Sequence, residues 1–179
     1  MEDKILLAHG SGGRLTQELI TNLLLKEIGN PYLNRLDDAA TFFMSGRIAF
    51  TTDSYVVNPI FFPGGDIGKL AVCGTVNDLA MVGATPKYIS LSLIIEEGFP
   101  TSDLKKIIRS IKNTAEEAEV EIVTGDTKVV NRGSADGLFI NTAGIGIVPE
   151  GINISGSNAQ VGDKVILSGP IGDHGIAIL

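Results

Sequence analysis

Aspartates recur in this sequence at the margins of apolar runs, where hard oxygen ligands for a divalent cation can gather. Asp37-Asp38-Ala39-Ala40 opens one β-rich run, and Thr51-Thr52-Asp53-Ser54 closes the next. Asn77-Asp78 interrupts an apolar helical pattern, and Thr124-Gly125-Asp126-Thr127-Lys128 follows another apolar run. Strand ends converge at the rim of a sheet, and Mg2+ takes several carboxylates together with phosphate and water oxygens. Four such aspartates at one rim would hold more than one Mg2+ on a nucleotide triphosphate tail. Each residue also has a local explanation: Asp37 as a turn residue, Asp53 as a strand-end cap, Asp126 as a turn former after Gly125. Asp78 is harder to explain locally, because a carboxylate within a small-residue helix needs a partner or a solvent-facing surface.

Two further features suit a phosphate. His9-Gly10-Ser11-Gly12-Gly13 stands just before the first helical pattern. Glycines let backbone N–H groups wrap an anion, and a helix N-terminus adds a favourable dipole; a flexible lead-in with a serine cap is the plainer account. Lys128 directly follows Gly125-Asp126-Thr127 and could neutralise phosphate charge or simply face solvent. Cys73 lies among small residues and reads as a buried packing residue. There is no Gly-x-x-x-x-Gly-Lys-Ser/Thr P-loop, no Gly-x-Ser-x-Gly elbow and no Gly-x-Gly-x-x-Gly after a strand.

The elements that must position these residues can be read from periodicity. Leu15, Leu19 and Leu23 mark a helix over 14–28, stopped by Gly29 and Pro31. Ala39 to Met44 and Arg47 to Thr52 read as a hairpin about Ser45-Gly46. Asp66 is a good N-cap for a second helix ending at Gly83. Lys87 to Ile95 is β-rich, and a third helix follows Ser102, with Leu104, Ile107, Ile108, Ile111 and Ala115 inward. Ile122 to Thr124, Leu138 to Val148 and Val165 to Ser168 read as strands, with a loop from Pro149 to Gly162. Consecutive strands with uneven helices predict an α+β or mixed α/β architecture. Gly175 to Leu179 reads as the start of an apolar helix, so the chain is expected to be a piece whose second domain breaks off after about residue 154.

Composition sets the limits. The 179 residues are 44% apolar and 20% charged, which excludes a disordered chain. With no Trp, three Tyr and a net charge of −7, neither an aromatic stacking platform nor a basic surface for nucleic acid is available. A divalent cation could still mediate nucleotide binding. One cysteine and two histidines, His9 and His174, exclude a disulfide framework and make zinc improbable. Met1-Glu2-Asp3-Lys4 is no basic leader, and no apolar run approaches the ~20 residues of a membrane span. The expectation is a soluble, cytoplasmic protein.

Taken in order, the segments from His9-Gly10-Ser11-Gly12-Gly13 through Phe61-Phe62-Pro63-Gly64-Gly65-Asp66, Val72-Cys73-Gly74-Thr75-Val76-Asn77-Asp78-Leu79-Ala80-Met81 and Thr124-Gly125-Asp126-Thr127-Lys128-Val129-Val130 resemble a known family. They are similar to the hydrogenase maturation carbamoyl dehydratases (the HypE family), within the aminoimidazole-ribonucleotide synthetase (PurM)-like superfamily. The resemblance implies an N-terminal ATP-binding and dimerisation domain over residues 1–154, and the start of a second PurM-like domain over 155–179. It implies a mixed sheet packed by helices on one face, two such sheets pairing into a β-barrel homodimer, and ATP and Mg2+ near that interface. Asp38, Asp53, Asp78 and Asp126 would be metal and phosphate ligands, with Asp37 beside them in the metal set and Asn77 at the nucleotide. Gly10, Ser11, Gly12 and Gly13 would fold over the phosphates, with Thr127 and Lys128 at the phosphate and Lys128 at the reacting group. The implied reaction uses ATP to dehydrate a carboxamide on a C-terminal cysteine to a thiocyanate, the cyanide source for nickel–iron hydrogenase. A carbamoyltransferase and an iron-binding scaffold complex are the implied partners. That cysteine is absent here and Cys73 is no substitute, so this chain alone is expected not to turn over. A kinase of the thiamine-monophosphate type and a non-catalytic docking module remain open as alternatives.

Overall fold

The computed structural model describes residues 3–173 and Ile176. Its strands, in chain order, are β1 (Arg47–Tyr55), β2 (Phe61–Phe62), β3 (Gly65–Asp66), β4 (Thr85–Glu96), β5 (Glu121–Val130) and β6 (Leu138–Val148). Its helices are α1 (Arg14–Leu19), α2 (Leu25–Ile28), α3 (Ile67–Met81) and α4 (Thr101–Glu117). Residues 14–28 are helical throughout, as the leucine spacing predicts, but a π turn at Ile20–Leu24 separates α1 from α2.

Four strands form one mixed sheet in the order β1-β6-β4-β5. β6 runs antiparallel to both neighbours, while β5 lies parallel to β4 after the crossover through α4. Alternation dictates which face is covered. Ile89, Leu91, Leu93 and Ile95 of β4, with Leu138 and Ile140 of β6, point into the core beneath the helices. The opposite face stays open, with Ile48, Phe50 and Ile94 exposed on it.

α4 follows the 3.6-residue rule: Leu104, Ile107, Ile108 and Ile111 are all 0% exposed, while Lys105, Lys106 and Arg109 face outward. Gly68 lets α3 approach closely, since a Cβ there would lie 2.7 Å from the Ile107 carbonyl oxygen. On the outer side, the Arg109 guanidinium donates to Glu27 Oε1 at 3.2 Å and holds its carboxyl below the usual range, tying α2 to α4.

Asp66 caps α3 as the sequence predicts, its Oδ1 accepting from Gly68 N–H at 2.8 Å and Lys69 N–H at 3.0 Å. Replacing it with alanine orphans two donors at a buried helix start. Asp66→Ala is expected to lower stability by about 1–2 kcal/mol, read as a lower urea midpoint at unchanged slope; an unmoved midpoint would show that the cap is dispensable.

Several expectations are corrected. Ala39–Met44 is not a strand, because β1 pairs with β6 and no hairpin partner is needed. That segment crosses the open face instead, with Phe42 tilted against Tyr88 at 4.3 Å between ring centroids and edge-on to Tyr32 at 6.4 Å. β5 extends well beyond Thr124, because Gly125 lets the chain stay flat against β4, where a Cβ would lie 2.6 Å from the Leu91 carbonyl oxygen. α4 starts at Thr101 with Pro100 at its cap, one residue before Ser102. Val165–Ser168 forms no strand; a strand needs a partner, and Val165, Ile166 and Leu167 are exposed. Cys73 is exposed on α3, where small neighbours leave it uncovered. Leu138–Val148 is a strand at the expected bounds. His174, and all of the expected final helix but Ile176, lie outside the described residues. Among the described residues, no helix is long and apolar enough to cross a membrane.

Candidate functional site

Edge strand β5 carries one part of the candidate site. Its pleat alternates, so Asp126 and Lys128 are exposed on the open side while Thr127 is half-buried, opposite Leu93 of β4. Asp126 therefore stands within a strand and not after one. The glycine-rich segment lies directly on this strand: a Cβ at Gly10 would meet the Val129 backbone nitrogen at 2.5 Å. Only glycine allows that approach, and it sets the segment against the strand at Val129, the residue after Lys128. Gly12 has a positive φ of +82°, and its N–H donates to Thr16 Oγ1 at 2.9 Å. Ser11 Oγ donates to the Ala8 carbonyl at 3.0 Å, and Gly13 caps α1. Between α1, the segment near residue 37 and β5 lies a cavity of about 270 Å³, with Thr16, Gln17, Asp37, Asp126 and Thr127 on its wall. Asp38 lines a neighbouring cavity of about 330 Å³ on the open face, with Phe42, Phe50, Tyr88 and Thr124.

The second part lies between β1 and α3, on the covered side of the sheet. Asp78 is exposed on α3, and its Oδ2 accepts from Thr51 Oγ1 at 3.0 Å; Asn77 beside it is exposed as well. This hydroxyl and the surrounding solvent answer the question of how a carboxylate survives in that helix. Asp53 is half-buried, and its Oδ1 accepts from Ser54 N–H at 2.8 Å. Beneath it runs a buried chain of hydroxyls from Tyr55 to Thr75, 3.3 Å apart, and on to Thr142. Burial pushes the Tyr55 phenol up to about 12, and the Asp53 carboxylate beside it pushes the same way. Tyr55 thus stays neutral at any ordinary pH. Gly74 makes room for it, since a Cβ there would lie 2.3 Å from the Tyr55 hydroxyl.

The sheet joins the two parts. Ser54, Asn141, Ser92 and Asp126 stand in register across all four strands, so they share the open face. Asn141 Nδ2 donates to the Asp53 carbonyl and to Ser54 Oγ, both at 2.9 Å. Sequence reasoning missed this polar row and the Tyr55–Thr75–Thr142 chain. The available signal was polar residues at 141 and 142 inside the apolar β6 pattern.

The structure does not bring all the expected aspartates onto one face. Asp53 falls one step out of register with Asp126, so the pleat turns them to opposite faces. Among the described residues, no three His, Cys, Asp or Glu side chains come together in a way that could hold a metal ion. Near Gly10–Gly13 the strand offers groups that suit a phosphate, although the pleat turns them apart: the Thr127 hydroxyl is on the covered side and the Lys128 charge on the open side, while the glycines expose backbone. The carboxylates as arranged do not by themselves complete a Mg2+ shell.

Comparison with known proteins agrees with this fold. Carbamoyl dehydratase HypE from Bradyrhizobium diazoefficiens is 58% identical over 174 residues, covering 97% of this chain and 50% of that protein. A crystal structure of the hydrogenase maturation protein HypE in complex with ATP is 52% identical with a TM-score of 0.93, covering 97% of this chain and 52% of that one. A HypE–HypF complex structure is 55% identical with a TM-score of 0.72, over 93% of this chain and 52% of that one. The chain spans about half the length of the curated relatives it matches. Residues 36–148, from just before Asp37 to the end of β6, match the N-terminal domain of the AIR synthase related proteins, and the chain belongs to that family.

Proposed function

We propose that this chain is the ATP-binding N-terminal part of a hydrogenase maturation carbamoyl dehydratase. The observation that carries the reading is its likeness, across 97% of its length, to a HypE crystallised with ATP. The packing of Gly10 on β5 supports it, since it seats the glycine-rich segment on the strand that carries Thr127 and Lys128. In the intact protein, ATP activates the oxygen of a carboxamide held on a cysteine sulfur, and loss of phosphate leaves a thiocyanate. Cys73, exposed on α3, is not the proposed reacting cysteine, which this reading assigns to a part of the intact protein outside this chain.

In this reading, Gly10–Gly13 close over the phosphates, Thr127 donates to a phosphate oxygen, and Lys128 disperses charge at the phosphoryl group being transferred. Asp38, Asp53, Asp78 and Asp126, with Asp37 adjacent, are the proposed source of Mg2+ ligands, and Asn77 is a proposed nucleotide contact. Mg2+, when bound, would neutralise phosphate charge. Its shell would be completed from outside the described residues. The exposed face carrying Ile48, Phe50 and Ile94 is the proposed homodimer surface. The proposed partners are the carbamoyltransferase, supported by the HypE–HypF complex, and an iron-binding scaffold complex, acting in the cytoplasm.

Calorimetric titration of ATP, with Mg2+ and then with EDTA, tests the reading. Binding that depends on Mg2+ is the expected result. Asp126→Asn in the intact protein is expected to impair Mg2+-dependent ATP hydrolysis, and an unchanged rate would overturn the site assignment.

A further inference from the structure

We propose that His9 is a positioning residue for the glycine-rich segment, its ring nitrogen fixing where Gly10–Gly13 lie on β5. The inference rests on the reading of that segment as phosphate-binding. His9 is only 2% exposed, and a buried imidazole must be partnered. Its Nδ1 accepts from the Leu6 backbone N–H at 3.0 Å. An amide N–H can only donate, so in this bond Nδ1 is the acceptor; the Leu6 carbonyl oxygen lies farther from the same nitrogen, at 3.3 Å. The side chain reaches back from the third residue of the 3-10 turn Leu7–Gly10 to the residue before it, as the Glu or Gln of a capping box does.

The segment is held at fixed points on either side of this bond. Upstream, Ile5 N–H donates to the Phe99 carbonyl at 2.9 Å, and Gly98 N–H donates to the Ile5 carbonyl at 2.7 Å. Downstream, Gly10 lies flat against Val129 with no room for a Cβ. His9 bridges these anchors, so its acceptor determines the path of the chain into Ser11, Gly12 and Gly13. Without it the Leu6 N–H loses its partner, and the segment is free to shift along β5 relative to Lys128.

Two substitutions separate positioning from packing. His9→Phe keeps the ring and removes the acceptor. His9→Asn gives up ring volume but keeps an acceptor, because its Oδ1 branches from Cγ as Nδ1 does. In the intact protein, hydrogen exchange of amides 6–13 without nucleotide is measured beside calorimetric ATP affinity. His9→Phe is expected to speed exchange at Leu6 and weaken ATP binding, each by about tenfold, and His9→Asn to recover most of both. A 15N resonance of His9 Nδ1 typical of an unprotonated ring nitrogen is expected in the wild type. Protected β4 amides show that a variant is folded, and His9→Ala supplies the same comparison if phenylalanine is not accommodated. Leu6 protection unchanged in His9→Phe, or His9→Asn inferior to His9→Phe in both readouts, overturns the proposal. Faster exchange with unchanged ATP affinity overturns it while leaving the nucleotide reading intact. A wild-type protein that binds no ATP overturns the nucleotide reading itself.

Discussion

Lys128→Ala in the intact protein is expected to lower the rate of ATP hydrolysis by about 10²–10³-fold while leaving the fold undisturbed. Lys128 is exposed on edge strand β5, and among the described residues no carboxylate is paired with it. Its removal therefore breaks no ion pair and opens no cavity, and such surface changes usually alter stability by less than about 0.5 kcal/mol. The position is not neutral for the proposed chemistry, because Gly10 brings the glycine-rich segment onto the next residue of the strand. Lys106→Ala is the natural control: that lysine pairs with Asp103 at 2.8 Å on the outer surface of α4, far from β5 in role. Phosphate release and thermal melting, measured on both variants, check the expectation. Wild-type turnover in Lys128→Ala would remove this residue from the mechanism.

Ile107→Ala is expected to cost about 3–4 kcal/mol of stability, the largest structural effect of any substitution considered. The side chain is 0% exposed, on the face of α4 that covers the sheet. Collapse cannot readily heal the resulting cavity. α3 already touches this point of α4 through Gly68, where a Cβ would meet both the Ile107 carbonyl and the Ile111 side chain, the latter at 2.8 Å. With the two backbones near contact, neither helix can move inward to fill the space. Against a total stability of about 5–15 kcal/mol for an ordinary domain, this loss is large. It would be seen as a lower urea midpoint with an unchanged slope, and a shift below 1 kcal/mol would mean that the α3–α4 contact is looser than it looks.

Elements with strong local signals were legible in the sequence. The Asp66 cap, the α4 stripe and the span of β6 each follow from residues that interact with near neighbours or obey a clean period. Errors arose where pairing at a distance decides the outcome. Ala39–Met44 and Val165–Ser168 have β-like composition but no partner strand, whereas β5 runs past its glycine because β4 lies beside it. For the site, the glycine-rich segment and Lys128 could be named from the sequence, and the structure adds that the segment packs on β5 at Val129, the residue after Lys128. The facing of Asp53 away from Asp126 could not be read, because it depends on the register across β6 and β4. Cys73 was misjudged because small-residue surroundings indicate close packing on one side of a helix and say nothing of the other.

The placement of β6 has a consequence for how the protein is made. The last strand of the sheet in sequence sits between β1 and β4 in space, so Thr52 waits for Ala143 before its ladder can form. On the ribosome, β1 has emerged long before its partner is translated, and β4 can meet only β5 in the interval. Closure of the sheet is thus deferred until residue 148 has left the exit tunnel. Sequence-distant pairing of this kind slows folding and prolongs exposure of strand edges. While the residues between β1 and β6 are being made, the nascent chain carries Ile48 and Phe50 on an unpaired ribbon, and in that interval the strand edge is open to wrong partners.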